Sequence, residues 1–280
     1  MKAIDIHSHL STKKGYIFQT AEEVAAAEKH YRFKVEFKTD MQMVQDFRDA
    51  DVKVILDGPL SKTLNQAIDF HDYMGDLIKN YPDVIIGAWA YVKPQYGLKG
   101  LQELERCIKE LKMTGLMVLG VEAGIPCNDK GFYIFYEFCR DLDVPVLLLV
   151  GTTGLGAGLP GGGGYHLKYS HPMDVDDVAA NFPDLTIIAS HPAWPWQDEM
   201  IAVLLHKANV YNDLHGWSPK YFSPELKKEI GGRLQDKFVT GFDYPLFTYE
   251  RLFKDWGSEG YKPEVLEKVL YKNAQRILNI

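Results

Sequence analysis

The sequence predicts an α/β fold, a single-domain (β/α)8 TIM barrel, from its length and from the alternation of two kinds of segment. Its 280 residues exceed the usual length of one domain, but barrels of about 250 residues fold as one unit. Short β-branched or aliphatic runs alternate with longer amphipathic runs, which is typical of repeated βα units around a parallel sheet. Eight repeats favour a closed barrel, and a doubly wound open sheet is the alternative.

Each strand is predicted where a short apolar run ends at turn-forming or polar residues. The predicted strands are Ala3–His7, Val52–Leu56, Val84–Trp89, Gly115–Leu119, Pro145–Val150, Leu185–Ala189, Asn209–Asn212 and Phe238–Thr240. The run Pro145–Val150 is continuously apolar, as expected for a strand that is buried on both faces. The predicted helices are Met41–Ala50, Leu64–Asn80, Leu98–Leu111, Phe132–Asp141, Val175–Phe182, Gln197–Lys207, Pro224–Gly231 and Thr248–Trp256.

Three segments lie outside this repeat. Residues Thr12–Lys38 predict a helical insertion over the mouth of the barrel, and Pro263–Ile280 predicts helices that close it from beneath. Neither resembles a separate domain, so we expect residues 1–280 to form one domain. Residues Gly151–Gly164 contain eight glycines, which favours a loop with freely available positive φ angles. A lid, a phosphate cradle and a flexible connection stay open as interpretations of this loop.

Composition and charge predict a soluble cytoplasmic protein whose partner is a small molecule. Hydrophobic residues make up 46% of the chain and charged residues 25%, as in ordinary globular enzymes. There is no apolar stretch of about 20 residues and no signal-like N-terminus. The net charge is −7 without any basic run, which argues against nucleic acid and anionic membranes as partners.

The first predicted strand ends in a pair of histidines, His7 and His9, that is a candidate metal site. Side chains alternate along a strand, so both imidazoles project to the same side, and Asp5 precedes them on that side. Neutral histidine is a common zinc ligand, and a carboxylate such as Asp5 can orient it. A His-x-His pair is weak evidence by itself, but barrel enzymes have their catalytic groups at this end of the strands.

Two further polar residues, His191 and Asp243, follow the sixth and eighth predicted strands. Each has a structural alternative, because His191 could belong to a capped strand end and Asp243 could begin a turn. Both lie on the same face as the histidine pair, which favours function. Asp243 is then a ligand that also accepts a proton from water.

The motifs around these residues resemble those of the amidohydrolase-related family, in the branch similar to aminocarboxymuconate-semialdehyde decarboxylase. They are His7-Ser8-His9, His191-Pro192-Ala193-Trp194-Pro195-Trp196 and Gly241-Phe242-Asp243-Tyr244-Pro245. The resemblance covers nearly the whole chain and extends to the ending Lys272–Leu278. It implies a (β/α)8 fold and a dimer or larger homo-oligomer.

For the site, the resemblance implies one divalent metal ion, with zinc preferred and manganese as the alternative. His7, His9 and Asp243 are the implied ligands, and His191 is the implied catalytic acid or base beside Asp243. The favoured reaction is hydrolysis of a small cyclic or aromatic carboxylate, lactone or amide by metal-activated water. The alternative is non-oxidative decarboxylation of a small unsaturated or aromatic acid.

The sequence departs from the family pattern at the fifth strand, where the family has another metal-binding histidine. Leu149 or Thr152 occupies that position, and neither is a good zinc ligand. Three explanations follow, in decreasing preference: His166 or His171 supplies the ligand, fewer protein groups hold the metal, or the chain is a degenerate barrel that binds a ligand without turnover. Glu122, after the fourth strand, is a less favoured ligand.

Trp194, His215 and Tyr244 are the candidate substrate-binding residues. Each follows a predicted strand, so we expect its side chain to reach the same face of the barrel. Aromatic side chains at these positions favour a planar or cyclic substrate, although they are equally common as core residues.

Overall fold

Eight parallel strands form one sheet in which every strand pairs with its neighbours in chain order, and this confirms the predicted barrel. The computed structural model describes all residues, Met1–Ile280. The strands are β1 (Ala3–His9), β2 (Val52–Asp57), β3 (Ile85–Tyr91), β4 (Gly115–Val118), β5 (Val146–Leu149), β6 (Ile187–Ser190), β7 (Val210–Asp213) and β8 (Phe238–Val239).

Irregular backbone hydrogen bonds connect β1 with the segment that follows β8 and bring the barrel close to closure. The amide of Ile6 donates to the carbonyl of Thr240 at 3.3 Å, and the amide of His9 donates to that of Tyr244 at 2.8 Å. The amide of Asp243 donates back to the carbonyl of His7 at 3.1 Å. The two ends of the sheet are therefore fixed to each other where the candidate metal ligands lie.

Helices follow the strands and cover the outside of the barrel. They are α1 (Ala21–Tyr31), α2 (Asp40–Ala50), α3 (Leu64–Asn80), α4 (Gly97–Lys109), α5 (Gly120–Ala123), α6 (Tyr133–Asp141), α7 (Pro172–Asn181), α8 (Gln197–His206), α9 (Pro224–Gly231), α10 (Tyr249–Gly257), α11 (Pro263–Glu267) and α12 (Asn273–Leu278). None of them is both long and apolar enough to cross a lipid bilayer.

The core has an inner and an outer layer, as expected for strands that are buried on both faces. Leu147 and Leu149 of β5 belong to the inner cluster with Ile6 and Trp89. The alternating residue Leu148 packs in the outer cluster between sheet and helices. The continuous apolar run of the fifth strand follows from this arrangement.

The predicted insertion and closing helices are confirmed. Helix α1 begins after Thr20, whose side chain accepts a hydrogen bond from the amide of Glu23 in a capping box. Residues on both sides of its C-terminal end line the cavity at the barrel mouth. At the opposite end, the side-chain amide of Asn273 donates to the carbonyl of Phe238 at 2.7 Å, which ties α12 to the start of β8.

Several strands extend beyond their predicted ends, and the added residues are polar. β1 continues to His9, β2 to Asp57, β6 to Ser190 and β7 to Asp213. The prediction ended these strands where the apolar runs end. The polar residues remain in the strands because they lie at the C-terminal face of the barrel, where a cavity replaces the packed interior.

Candidate metal centre

Polar side chains from five strand ends converge on a cavity of about 600 Å³ at the C-terminal face of the barrel. The titratable residues that share this cavity at its base are His7, His9, Asp57, His191, His215 and Asp243. All six are buried. The face is the one at which barrel enzymes have their catalytic groups.

His7 and His9 reach the cavity together, and the pairing of β1 with β2 has an irregularity before His9. The register of β1 against β2 shifts between Asp5 and Ser8, and beyond the shift His9 is opposite Asp57. The two imidazole rings meet edge to face with their centroids 5.1 Å apart. Because His7 and His9 are two residues apart on one strand, both rings project toward the same space.

Asp243 lies beside His9, with its Oδ1 2.9 Å from the Nε2 of the imidazole. Its backbone has a φ of +56°, an uncommon conformation for a residue other than glycine. The hydrogen bond from its amide to His7 fixes this turn. At Gly241, an added Cβ would be 2.5 Å from the Cβ of His7 and 2.8 Å from that of His215, so no other residue fits there without a shift.

Asp57 contacts both histidines of β1 through a single oxygen. Its Oδ2 is 3.0 Å from Nε2 of His7 and 3.1 Å from Nδ1 of His9. Asp57 was not predicted as a site residue, because the predicted second strand ends at Leu56. The available signal was similar to that for Asp243, a carboxylate that closely follows an apolar strand, and Asp57 comes immediately after Leu56.

His215 is held by Asp213, the last residue of β7. Nδ1 of His215 is 2.7 Å from Oδ2 of Asp213, and Oδ1 of Asp213 accepts a hydrogen bond from the amide of Gly241 at 2.7 Å. The ring of His215 stacks on His7 at 3.5 Å and is 4.2 Å from the ring of His191. Burial lowers the pKa of His215 well below its usual value and raises that of Asp213 to about 6.

His191 follows β6, and its buried position favours the neutral imidazole. Burial lowers its pKa to about 4, because the charged form loses water. The side chain of Asn212 donates to the carbonyl of His191 at 2.7 Å and holds its backbone. A Cβ added to Gly216 would be 3.2 Å from Nε2 of His191 and 3.9 Å from Oδ2 of Asp243, so both groups approach the same glycine.

The donor set suits a divalent cation. Ligand atoms of His7, His9 and Asp243 lie within 4.8 Å of one another, and imidazole nitrogen with carboxylate oxygen is a combination that zinc and manganese accept. Several buried polar atoms here have no hydrogen-bond partner. Burying an unpaired polar atom costs free energy, and a bound cation would compensate that cost. These atoms are Nδ1 of His7, Nδ1 of His9, Oδ1 of Asp57 and Nδ1 of His191.

Asp5 has a different role from the one expected, because its carboxylate contacts backbone and a phenol but no imidazole nitrogen. Oδ1 accepts hydrogen bonds from the amides of His7 at 3.0 Å and Phe242 at 2.8 Å. Oδ2 accepts one from the hydroxyl of Tyr249 at 2.8 Å. Asp5 therefore fixes β1 to the segment after β8 and supports the histidines through their backbone.

The structure does not bring His166 or His171 to this cluster. His166 is exposed on the loop and its nearest aromatic neighbour is Tyr169, with ring centroids 6.0 Å apart. His171 caps α7, where its Nδ1 accepts a hydrogen bond from the amide of Met173. The glycine-rich chain between β5 and α7 carries both histidines along the outside of the cavity.

Glu122 also lies apart from the cluster. Its carboxylate accepts hydrogen bonds from Lys93 and from the hydroxyl of Tyr91, and it does not line the cavity. A carboxylate that is already paired with a lysine is satisfied without a metal ion.

The three candidate substrate-binding residues lie in three different environments. His215 lines the cavity. Trp194 is 47% exposed and reaches the cavity only through Trp217, whose ring is 5.8 Å away. Tyr244 points to the other side of its segment, where its hydroxyl donates to Asp46 at 2.5 Å.

The first part of the glycine-rich loop lines the cavity opposite β1. The lining includes Thr152, Thr153, Gly154, Leu155 and Ala157. Gly158 packs against α1, since an added Cβ would be 3.0 Å from the Cβ of His30. The loop and the insertion therefore form one rim. Two exposed cations on this side of the barrel, Arg32 and Arg251, also line the cavity.

The sequence model of a protein family, described as Amidohydrolase, matches residues 4–280 of this chain. The chain belongs to the amidohydrolase family. The match spans almost the entire barrel, and it confirms the resemblance that the strand-end motifs predict.

Solved structures share the amidohydrolase barrel over its whole length. An uncharacterised TIM-barrel protein from Bordetella bronchiseptica is 21% identical, with 100% of this chain and 99% of that chain covered and a TM-score of 0.79. A 2,6-dihydroxybenzoate decarboxylase from Rhizobium is 13% identical, with 100% and 99% covered and a TM-score of 0.73.

A third similar structure is a 5-carboxyvanillate decarboxylase from Novosphingobium aromaticivorans, which was solved with manganese and 4-hydroxy-3-methoxy-5-nitrobenzoic acid. It is 15% identical, with 99% of this chain and 96% of that chain covered and a TM-score of 0.72. At these identities the likeness establishes the fold that the chains share.

Proposed function

We propose that this chain is a metal-dependent hydrolase that acts on a small cyclic or aromatic carboxylate, lactone or amide. The observation that carries the proposal is a buried set of imidazole and carboxylate ligands with the imidazole of His191, whose pKa burial lowers, approaching the same glycine as Asp243. A general base must be unprotonated at the working pH and near the reacting water.

In this proposal His7, His9 and Asp243 hold one divalent ion, with zinc as the first choice and manganese as the second. The ion supplies Lewis acidity, which polarises a carbonyl and activates water. His215, oriented by Asp213, occupies the space between His7 and His191 and excludes bulk water from it. His191 accepts the proton of the attacking water on a ring nitrogen and delivers it to the leaving group.

The lining of the cavity supports a small substrate with an apolar ring and an anionic group. Apolar residues form much of the wall, among them Leu60, Leu119, Leu149, Trp217 and Phe247. Arg32 and Arg251 lie at the rim with guanidinium groups that pair well with carboxylates. His215 is retained as a substrate contact because it faces this space.

A metal-dependent decarboxylase is the second candidate, and the two decarboxylases with the same barrel favour it. In that reaction the rim arginines would hold the acid, and a protonated His191 would donate to the ring carbon as carbon dioxide leaves. This step needs a protonated imidazole, whereas burial favours the neutral form of His191. We therefore rank hydrolysis first.

The experiment compares the two reactions on one preparation. The zinc-loaded and manganese-loaded proteins are incubated with matched aryl lactones, anilides and hydroxybenzoates, and carbon dioxide release and acid formation are measured together. Ring opening or amide cleavage that His191→Asn abolishes supports the hydrolase. Carbon dioxide release with no hydrolysis would replace it by the decarboxylase, and a metal-loaded protein that binds these acids without turnover would favour the degenerate barrel.

The cytoplasmic location and the homo-oligomeric state remain predictions. Sedimentation of the purified chain tests the oligomeric state directly.

A further inference from the structure

We infer that Trp194 and Trp217 form a second subsite, an aromatic ledge at the mouth of the cavity, which binds an aromatic leaving group of the substrate. The inference rests on the proposed hydrolase and names its substrate class. That class is an aryl amide or aryl ester with one ring inside the cavity and a second ring on the ledge.

The two indoles form one aromatic surface that runs from the cavity to the solvent. Trp217 lines the cavity and is partly buried, whereas Trp194 is 47% exposed. Their ring centroids are 5.8 Å apart and their planes are inclined by 33°, a separation at which aromatic rings are in contact. A single exposed apolar side chain is common on protein surfaces. Trp194 differs because it extends the wall of a cavity.

The loops that carry the ledge also carry two imidazoles of the proposed site. Trp194 is three residues after His191, on the loop that follows β6. Trp217 is two residues after His215, on the loop that follows β7. Gly216 lies against His191, because a Cβ added to this glycine would be 2.9 Å from Cδ2 of the imidazole. The ledge therefore begins next to the residue that is proposed to protonate the leaving group.

The backbone beneath Trp194 is fixed by the chain that follows β5. The amide of Thr152 donates to the carbonyl of Trp194 at 2.8 Å. Gly151 packs directly on the same turn, since an added Cβ would be 2.7 Å from the backbone of Ala193 and 2.8 Å from the carbonyl oxygen of Trp194. A preformed surface loses less entropy when a ligand binds than a mobile one does. The exposed indole is thus suited to binding a flat group.

The position of the ledge determines which part of the substrate it binds. In the proposed reaction water adds to the carbonyl carbon, and the bond from this carbon to nitrogen or oxygen breaks. His191 passes the proton that it accepted from water to the departing atom. That atom must be near His191, so the group attached to it is on the side of the ledge. The products are then an acid and an arylamine or a phenol.

The experiment compares two amides, salicylanilide and N-methylsalicylamide, which share the acyl ring and differ in the group on nitrogen. Calorimetry gives the Kd of each amide for the zinc-loaded protein, and product formation gives kcat/KM. The variants are Trp194→Ala, Trp194→Phe and, as a control, Tyr221→Ala. Tyr221 is 64% exposed on the loop after β7 and does not line the cavity. Sedimentation compares the oligomeric state of all four proteins.

The inference predicts that wild type binds the anilide more tightly than the N-methyl amide. Trp194→Ala should weaken binding of the anilide by about 3- to 10-fold, the usual effect of losing an aromatic contact, and leave the N-methyl amide unchanged. The same loss should appear in kcat/KM, where comparison between variants cancels the difference in leaving-group chemistry. Trp194→Phe should retain most of the preference, and Tyr221→Ala should behave as wild type.

The inference is overturned if wild type has no preference for the anilide, or if Trp194→Ala keeps that preference. The proposed hydrolase stands in either case when one of the amides is cleaved. A change of oligomeric state in Trp194→Ala would also overturn the inference, because a second copy of the chain would then cover the indole. If the anilide binds through Trp194 but neither amide is cleaved, the ledge is a binding site and the hydrolase is overturned.

Discussion

The Nδ1 of His215 is 2.7 Å from Oδ2 of Asp213, and this contact fixes a ring that stacks on His7 at 3.5 Å. Asp213 also accepts a hydrogen bond from the amide of Gly241. One carboxylate at the end of β7 therefore positions both the imidazole beside the proposed metal ligands and the segment that leads to Asp243.

Replacing Asp213 by Asn tests this positioning role. The amide would donate toward His215 instead of accepting from it, so the imidazole would lose its fixed tautomer and orientation. We expect kcat to fall by about 10–100-fold with a smaller change in KM. Asp177→Asn is the control, since Asp177 is on the outer surface, where it accepts from Asn128. Equal kinetics of the two variants would contradict the role of Asp213.

His191→Asn tests the proposed general base. The variant should lose about 10²- to 10⁴-fold in kcat/KM, the usual contribution of a positioned acid or base. Its metal content should equal that of wild type, because His191 is not among the proposed ligands. Loss of metal together with activity would make His191 a ligand instead.

Gly241→Ala tests the close approach of backbone and imidazole. The new methyl group would be 2.5 Å from the Cβ of His7, and we expect a loss of about 1–3 kcal/mol in the free energy of unfolding together with weaker metal binding. The control is Gly257→Ala at the end of α10, where an added Cβ meets nothing within 4 Å. Urea unfolding measures both variants. Similar free energies of unfolding for the two variants would show that the segment after β8 can shift to accept the methyl group at little cost.

Glu103→Gln tests a buried network outside the cavity. Burial opposes ionisation of Glu103, but hydrogen bonds from His71 and Arg106 outweigh it and lower its pKa to about 2. The folded-state pKa is thus below the unfolded value, so the ionised group stabilises the fold above about pH 4.5, and this is lost as the pH falls toward 2. The variant should be about 2 kcal/mol less stable than wild type at pH 7.

The lowered pKa of Glu103 also determines how the stability difference between wild type and Glu103→Gln depends on pH. Urea unfolding at several pH values should show a gap between wild type and Glu103→Gln that is largest near neutrality and narrows below about pH 4.5. A gap that is constant with pH would mean that the charge of Glu103 contributes nothing.

Leu149→His restores a histidine to β5, and its effect depends on the ligand set. In the proposed site, where His7 and His9 of β1 and Asp243 after β8 hold the ion, a third imidazole should raise the zinc affinity and shift the preference away from manganese. Leu155→His, on the loop that also lines the cavity, is the control. No change in metal affinity for Leu149→His would place the ion out of reach of β5.

The barrel and much of the candidate site could be predicted because both depend on local patterns. Apolar runs of the right spacing predict eight strands, and parallel strands must end at one face. His9 and Asp243, far apart in the chain, therefore had to lie on the same side. Their contact at 2.9 Å follows from topology.

Other features depend on side-chain direction and loop paths, which apolar patterns do not determine. Asp57 was missed because the strand was ended at its last apolar residue, although the backbone ladder continues through it. Tyr244 directly follows Asp243, yet its ring turns toward Asp46. The position of His166 depends on a run of glycines with positive φ angles. Because glycine has so little steric preference, the sequence does not define the path of this loop.

The measurement that tests the metal centre most directly is elemental analysis of the purified wild-type chain beside His9→Ala and His166→Ala. We predict about one zinc or manganese per chain for wild type, the same for His166→Ala, whose imidazole is exposed on the loop, and almost none for His9→Ala. A wild-type protein that stays free of metal after incubation with both ions would contradict the metal centre and leave a barrel that binds its ligand without metal chemistry.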